Sequence, residues 1–183
     1  MRLKDKVVIV TGGTSGIGAA ISRAVVREGG KALIHGVVES DGQKLVSELG
    51  SSSALCIADL MDQASPKKIV DSCVSVFGRI DSLVNCAAIV HNSTLEDLSY
   101  GDYLKVMQVN LGAALFTIQA CMPELKKSRG SVLNIGSINA YTGESRLLAY
   151  SISKGGMATM TRNLANANGT KGVRFNQINP GWV

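Results

Sequence analysis

Aromatic side chains are scarce in this sequence, with three Phe, four Tyr and one Trp. A surface that stacks nucleic-acid bases needs aromatics interleaved with cations, and none accompanies the densest basic run, Lys126-Lys127-Ser128-Arg129. That run falls where a helix is predicted to end, a place where cations complement the backbone dipole. The net charge of +5 therefore reads as solvated surface, and no nucleic-acid partner is expected. Histidine is rarer still: His35 and His91 stand alone. Cys56, Cys73, Cys86 and Cys121 form no C-x-x-C pair and accompany no histidine. No metal site or disulfide framework is expected, and the thiols fit reduced core residues in a cytoplasmic setting. No apolar run reaches the roughly 20 residues of a membrane span. Met1-Arg-Leu-Lys-Asp-Lys6 leads straight into a predicted strand, so neither membrane attachment nor a signal peptide is expected. Linkers, repeats and low-complexity segments are also missing. With 45% hydrophobic and 18% charged residues, the 183 residues are expected to form one globular domain over 1–183.

Glycine is plentiful, and its most telling placement is Thr11-Gly-Gly-Thr-Ser-Gly-Ile-Gly18. The apolar, β-branched run Lys6–Val10 precedes it and reads as a strand. Ile17, Ile21, Ala24 and Val25 follow at helical spacing, with Gly29-Gly30 as a stop. The order is strand, glycine turn, helix. A helix N-terminus presents unpaired N–H groups and partial positive charge, and glycines let a phosphate approach them without a Cβ in the way. The turn is thus a candidate pyrophosphate cradle, though a tight turn without ligand has the same pattern. Its spacing, Gly12, Gly16 and Gly18, is neither G-x-G-x-x-G nor a P-loop.

The alternation continues along the chain. Strands are predicted over 32–36, 54–58, 80–84, 131–135 and 173–178. Between them lie a short helix with Leu45, Val46 and Leu49 on one face, a helix capped by Ser65-Pro66 and ended by Gly78, a long helix from about Tyr100 to Lys127, and one from near Tyr150 to about Asn168. Continuous short apolar strands are those of a parallel sheet covered on both faces. Right-handed crossovers then predict an α/β doubly wound sheet, with ligands at the carboxyl ends of the strands where strand order reverses. The long helix is apolar nearly all round, from Val106 and Met107 through Leu115, Phe116 and Ile118. A partner subunit is the expected second cover, with burial under another element of the same chain as the alternative. Pro123 is expected to bend or end it.

Chemistry is suggested by Tyr150-Ser-Ile-Ser-Lys154. Four residues apart on a helix places Tyr150 and Lys154 one turn apart on one face. An ammonium near a phenol favours the phenolate and makes the tyrosine a usable acid or base. Ser137 follows the strand at 131–135, so it can reach the same sheet edge as the glycine turn, where its hydroxyl could bind a reacting oxygen. Spacing alone would also allow a surface Tyr/Lys pair and a helix-cap serine.

Together, Thr11–Gly18, Asp59, Asn85-Cys-Ala-Ala88, Asn110, Ser137, Tyr150-x-x-x-Lys154 and Pro180-Gly181 resemble the classical short-chain dehydrogenase/reductase family over essentially the whole chain. The resemblance implies a Rossmann-type fold, an NAD or NADP cofactor, and hydride transfer between nicotinamide and a small alcohol or ketone. It implies that Tyr150 is the proton donor or acceptor, and that Lys154 lowers its pKa and holds the nicotinamide ribose. Ser137 would orient the substrate oxygen, and Asn110 would hold a water in a proton relay. Gly12, Thr14, Ser15, Gly16, Ile17 and Gly18 would surround the pyrophosphate and adenine ribose. Asp59 and Leu60 would meet the adenine, Asn85 and Ala87 the ribose side, and Pro180, Gly181 and Val183 the nicotinamide.

Cys86 and Ala88 depart from the family's N-N-A-G motif. Gly36 and Val37, where an acidic residue would select NAD or a basic one NADP, are neutral. The tilt is therefore slightly to NAD, with Gly36→Asp expected to sharpen it. The family also continues with a substrate lid and a final strand beyond this sequence. The implied assembly is a homodimer or homotetramer through the two long helices. The expected activity is that of a nicotinamide-dependent oxidoreductase, and the alternative is a catalytically poor nucleotide-binding fragment or scaffold.

Overall fold

The computed structural model describes residues 1–182. Its elements are β1 (Val7–Thr11), α1 (Gly16–Arg27), β2 (Lys31–Gly36), α2 (Glu39–Leu49), β3 (Ser53–Ile57), α3 (Ser65–Phe77), β4 (Ser82–Asn85), α4 (Tyr100–Met107), α5 (Ala113–Ser128), β5 (Ser131–Ile135), α6 (Leu148–Asn168) and β6 (Arg174–Ile178). The strands form one sheet in the order β3-β2-β1-β4-β5-β6, with every neighbouring pair parallel. This is a Rossmann-type doubly wound α/β fold. Chain order reverses between β1 and β4, so the crevice for a ligand opens beyond their carboxyl ends.

The apolar strands divide their side chains between two cores. Val7 and Ile9 of β1, Leu33 of β2 and Leu83 of β4 join Ile69 and Cys73 of α3 and Ile118, Cys121 and Leu125 of α5. The intervening Val8, Val10, Ile34 and Val84 face Ala19 and Val25 of α1 and Leu45 of α2. Side chains alternate across a strand, so a run that is apolar at every position buries both faces. Fully burying a side chain such as Ile9 or Leu33, neither of which retains accessible surface, contributes about 1.5–3 kcal/mol.

The helix predicted from Tyr100 to Lys127 is one continuous 29-residue run, Tyr100–Ser128. A π-helical turn, Gln108–Gly112, joins α4 to α5. Pro123 neither ends nor interrupts α5. An 18-residue window within the run has a mean hydropathy of 1.2, so by length and composition alone the helix meets the measure of a membrane span, unlike the expectation from the sequence. In the fold it packs against α3 and α6. One stripe, including Ala113, Thr117, Ile118, Cys121 and Leu125, is buried, whereas Leu104, Leu115 and Phe116 are exposed.

Smaller departures sit at element ends. β1 reaches Thr11, one residue past the predicted end, and α6 begins at Leu148, so Tyr150 lies in its first turn. Ala64 rather than Ser65 occupies the cap of α3, while Ser65 Oγ donates to Asp59 O at 2.6 Å. Gly78 ends α3 as predicted, with φ of 75° and its N–H on Val74 O at 2.8 Å. Among the described residues, β6 is the last strand and forms the sheet edge.

Candidate active site

The glycine turn is shaped by what lies against it. Gly12 has φ of 62°, and a Cβ there would stand 2.7 Å from Ala87 Cα. A Cβ at Gly18 would lie 2.0 Å from Gly12 O. Neither position has room for a side chain, so the turn folds onto itself and onto the exit of β4. Gly16 differs: its φ is 49° and nothing stands within 4 Å of a Cβ. Only its backbone conformation demands glycine, and it leaves the N-terminus of α1 bare. No acidic residue occupies that first turn and Ser15 makes no side-chain cap bond, so its N–H groups are available to an anion.

Thr11 locks this turn to its neighbour. Its Oγ1 accepts from Cys86 N at 3.1 Å and Ala87 N at 3.3 Å. Gly12, Thr14, Ser15, Gly16, Ile17 and Gly18 line a cleft of about 1330 Å³, together with Val37, Asp59, Leu60, Ala87, Ser137, Tyr150, Lys154, Pro180 and Gly181. The volume exceeds the range of pockets for drug-sized ligands and suits an extended dinucleotide. At the exit of β3, Asp59 is exposed and uses Oδ1 to accept from Met61 N at 2.9 Å. Pro180 and Gly181 are drawn beside Ser137 because Pro180 O accepts from Ile138 N at 3.1 Å and Ile178 O from Gly136 N at 2.8 Å. The expectation for Val183 lies outside the described residues.

The reactive groups converge at the other end. Ser137, nearly buried at the exit of β5, accepts at Oγ from Asn139 N at 3.1 Å, which fixes its hydroxyl at the cleft wall. Tyr150 is half-buried. One turn along α6, Lys154 is only 2% exposed. Its Nζ donates to Ile135 O at 2.7 Å and stands 5.5 Å from the Tyr150 ring centroid. Burial pushes the Lys154 ammonium down to about 8, opposed by the nearby Cys86 thiol. A perturbed lysine beside a tyrosine and a serine in a cleft marks a functional site.

Two expected residues stand behind the cleft wall. Asn85 Nδ2 donates to Asn134 Oδ1 at 2.9 Å, and Asn134 in turn donates to Thr161 Oγ1 at 2.9 Å. The Asn85 side chain thus joins β4 to β5 and α6, and Ala87 takes the place on the cleft surface. Asn110, fully buried in the π-helical turn, accepts from Ile89 N at 2.8 Å and donates to Ile89 O at 2.9 Å and Ser153 Oγ at 3.1 Å. It clamps the loop after β4 to α6.

Several contributors escaped the reading of the sequence. The sequence places Thr11 at the head of the glycine stretch with no role for its side chain, and His35 in a strand, alone. Lys68 of α3 lines the same cleft beside the exit of β3, its Nζ on Ile57 O at 2.8 Å. Gly36 carries a steric constraint: a Cβ there would meet Thr14 Cγ2 at 2.5 Å and Oγ1 at 2.6 Å. Gly36→Asp would therefore have to drive the Thr14 side chain out of its place in the glycine turn before its carboxylate could select a cofactor, which corrects the expectation of a simple gain in NAD preference. Val37, 63% exposed at the mouth of the same cleft, is the position with space.

Residues 6–183 match the model of the family described as short chain dehydrogenase. The chain is 33% identical, over its whole length and 70% of the relative's, to a 3-alpha-(or 20-beta)-hydroxysteroid dehydrogenase of Mycobacterium bovis. It is 36% identical to the L-fucose dehydrogenase of Mus musculus, covering 67% of that protein, and 35% identical to the NADP-dependent (R)-specific alcohol dehydrogenase of Lentilactobacillus kefiri, covering 75%. A crystal structure of a dehydrogenase/reductase from Sinorhizobium meliloti 1021 superposes with a TM-score of 0.93 at 32% identity, over 98% of this chain and 73% of that one. With its reversed-order parallel sheet, bare glycine turn and serine, tyrosine and lysine on one cleft, the chain belongs to the short-chain dehydrogenase family, whose members are NAD(P)-dependent oxidoreductases.

Proposed function

We propose that this protein oxidises a small secondary alcohol, or reduces the corresponding ketone, with Tyr150 as the general acid/base. The observation that carries this reading is the burial of Lys154 beside Tyr150 and Ser137. An ammonium with so little exposed surface is costly to keep, and structure alone gives it one carbonyl partner. A bound nicotinamide dinucleotide would supply the hydride acceptor or donor. The chain's own residues do the rest. Gly12, Thr14, Ser15, Gly16, Ile17 and Gly18 present the α1 N-terminus to the diphosphate, with Asp59, Leu60 and Val37 around the adenosine. Pro180, Gly181 and Ala87 wall the nicotinamide end. Ser137 donates its hydroxyl hydrogen to the substrate oxygen and orients it. Tyr150 Oη takes the hydroxyl proton in oxidation and returns it in reduction. The Lys154 ammonium favours the phenolate and offers its remaining N–H groups to the ribose. Asn110 acts by positioning the Ile89 loop; both its amide N–H groups are engaged, and one Oδ1 lone pair is left for a relay water.

The cofactor is NAD or NADP. The tilt to NAD rests on the absence of a cation at Gly36 and Val37, with Lys68 engaged on Ile57 O. The assembly is a dimer or tetramer through α4–α5 and α6, whose Leu104, Leu115, Phe116 and Ile152 are apolar and exposed. The cellular location is the cytoplasm.

A panel of sugars, hydroxysteroids and simple secondary alcohols, followed by nicotinamide absorbance with each cofactor, tests the reading. Tyr150→Phe should reduce kcat by at least about 100-fold, the usual contribution of a positioned acid–base group, while cofactor Kd changes little. Near-normal turnover by that variant would overturn the assignment.

A further inference from the structure

His35 is the one histidine inside the protein, 1% exposed near the end of β2, and the catalytic reading makes no use of it. Its ring has two different partners. Gly12 N donates to Nδ1 at 3.3 Å, so Nδ1 must carry a lone pair. Nε2 then holds the hydrogen and donates to Ala58 O at 3.0 Å. The backbone of the same residue also takes part, since Gly13 N donates to His35 O at 2.8 Å. Gly12 opens the glycine turn, and Ala58 precedes Asp59 and Leu60 at the exit of β3. One neutral imidazole therefore spans the two backbone segments that flank the adenosine half of the cleft.

We infer that His35, as the neutral Nε2–H tautomer, is the positioning residue that holds the glycine turn at a set distance from the adenine-side loop, so that cofactor affinity falls when its ring is protonated. A proton on Nδ1 would set two N–H groups against each other at Gly12 and release the turn.

The surroundings permit this role. β1 carries no ionisable side chain. The charged residues of the packed helices, Arg23 and Arg27 of α1, Glu39, Asp41, Lys44 and Glu48 of α2, and Lys67, Lys68 and Asp71 of α3, are all exposed. Asp59 and Lys68 are the charged groups that share the adenine-side cleft wall with His35, and the buried Cys56 is its register partner on β3. No charge lies against the ring to favour the imidazolium. Burial pushes its pKa below the usual value, with the Ala58 carbonyl as a weaker opposing influence.

The inference rests on the cleft being the dinucleotide site, and the experiment separates the two. NAD+ and NADP+ are titrated calorimetrically into the full chain between pH 7.5 and pH 5. For the wild type, Kd should rise by about fivefold across the acid limb, the equivalent of one neutral hydrogen bond. His35→Asn keeps an acceptor for Gly12 N–H but does not titrate, so its Kd should stay level with pH. The tautomer is read independently by 15N chemical shifts of the imidazole in the protein without cofactor, with His91→Asn assigning the signals. An Nδ1–H tautomer, the same pH slope in both proteins, or affinity that rises in acid through His35 would each overturn the inference. Absence of binding at pH 7.5 would defeat the cofactor reading instead, and the 15N shifts would still decide the tautomer. If His35→Asn does not fold, those shifts, followed against pH in the wild type with and without dinucleotide, keep the test: bound dinucleotide should depress the pKa, and an unchanged or raised value would overturn the proposal.

Discussion

Replacing Lys154 by Met should leave an inactive protein at least about as stable as the wild type at neutral pH, and the size of the effect can be worked from the site. The ammonium is 2% exposed and its pKa falls from the ordinary 10.5 to about 8 through burial. A shift of that size corresponds to about 3 kcal/mol against the charged form at neutral pH. The folded-state pKa lies below the unfolded one, so the penalty is fully present below pH 8. Between about pH 8 and 10.5 the unfolded chain binds the extra proton, and stability rises with pH by up to about 1.4 kcal/mol per unit. Met removes the charge and keeps an unbranched chain of similar volume, but leaves Ile135 O without its donor, a loss of about 1–3 kcal/mol. The variant should therefore be within about 1 kcal/mol of wild type at pH 7, or more stable. Its advantage should shrink by about 3 kcal/mol by pH 10. Urea unfolding of both proteins at pH 7, 8, 9 and 10 measures the difference. The buried thiols of Cys73 and Cys121, pushed upward by desolvation, titrate in both proteins and cancel in it. A difference that does not move with pH would refute the account of Lys154. A variant that also retained wild-type turnover would remove it from the site.

The remaining expectations concern cofactor choice and assembly. Val37→Asp should raise the preference for NAD over NADP and Val37→Arg should reverse it, read as the ratio of the two Kd values; Gly36→Asp should weaken both cofactors because of Thr14, and selective retention of NAD by that variant would contradict the steric argument. Leu115, 40% exposed on α5, is proposed to be buried between subunits. Leu115→Glu would place an unpaired charge there and should shift the protein to smaller species in sedimentation, whereas a wild type that sediments as a monomer at micromolar concentration would end that proposal.

Local pattern alone was enough to read much of this fold. Val7–Val10 is apolar at every position because β1 buries both faces, and a strand buried on both sides cannot afford the alternation of a half-exposed one. Gly12, Gly16 and Gly18 mark the turn by their spacing, and Tyr150 and Lys154 share a helix face because four residues make about one turn. The sequence therefore determined the strand and helix order, the glycine turn and the Tyr150–Lys154 pair.

Only tertiary structure decided which way the polar side chains beside that site turn. Asn85 and Asn110 sit at matching positions in the chain but are claimed by Asn134 and by Ile89 and Ser153. Thr11 reaches across 75 residues to Cys86 because β4, and not β2 alone, lies beside β1. His35 meets Gly12 and Ala58 because β2 is seated between β1 and β3. Periodicity reports which face a residue shares with its near neighbours. It carries no information about which distant backbone group will accept or donate a hydrogen bond, and strand order settles that.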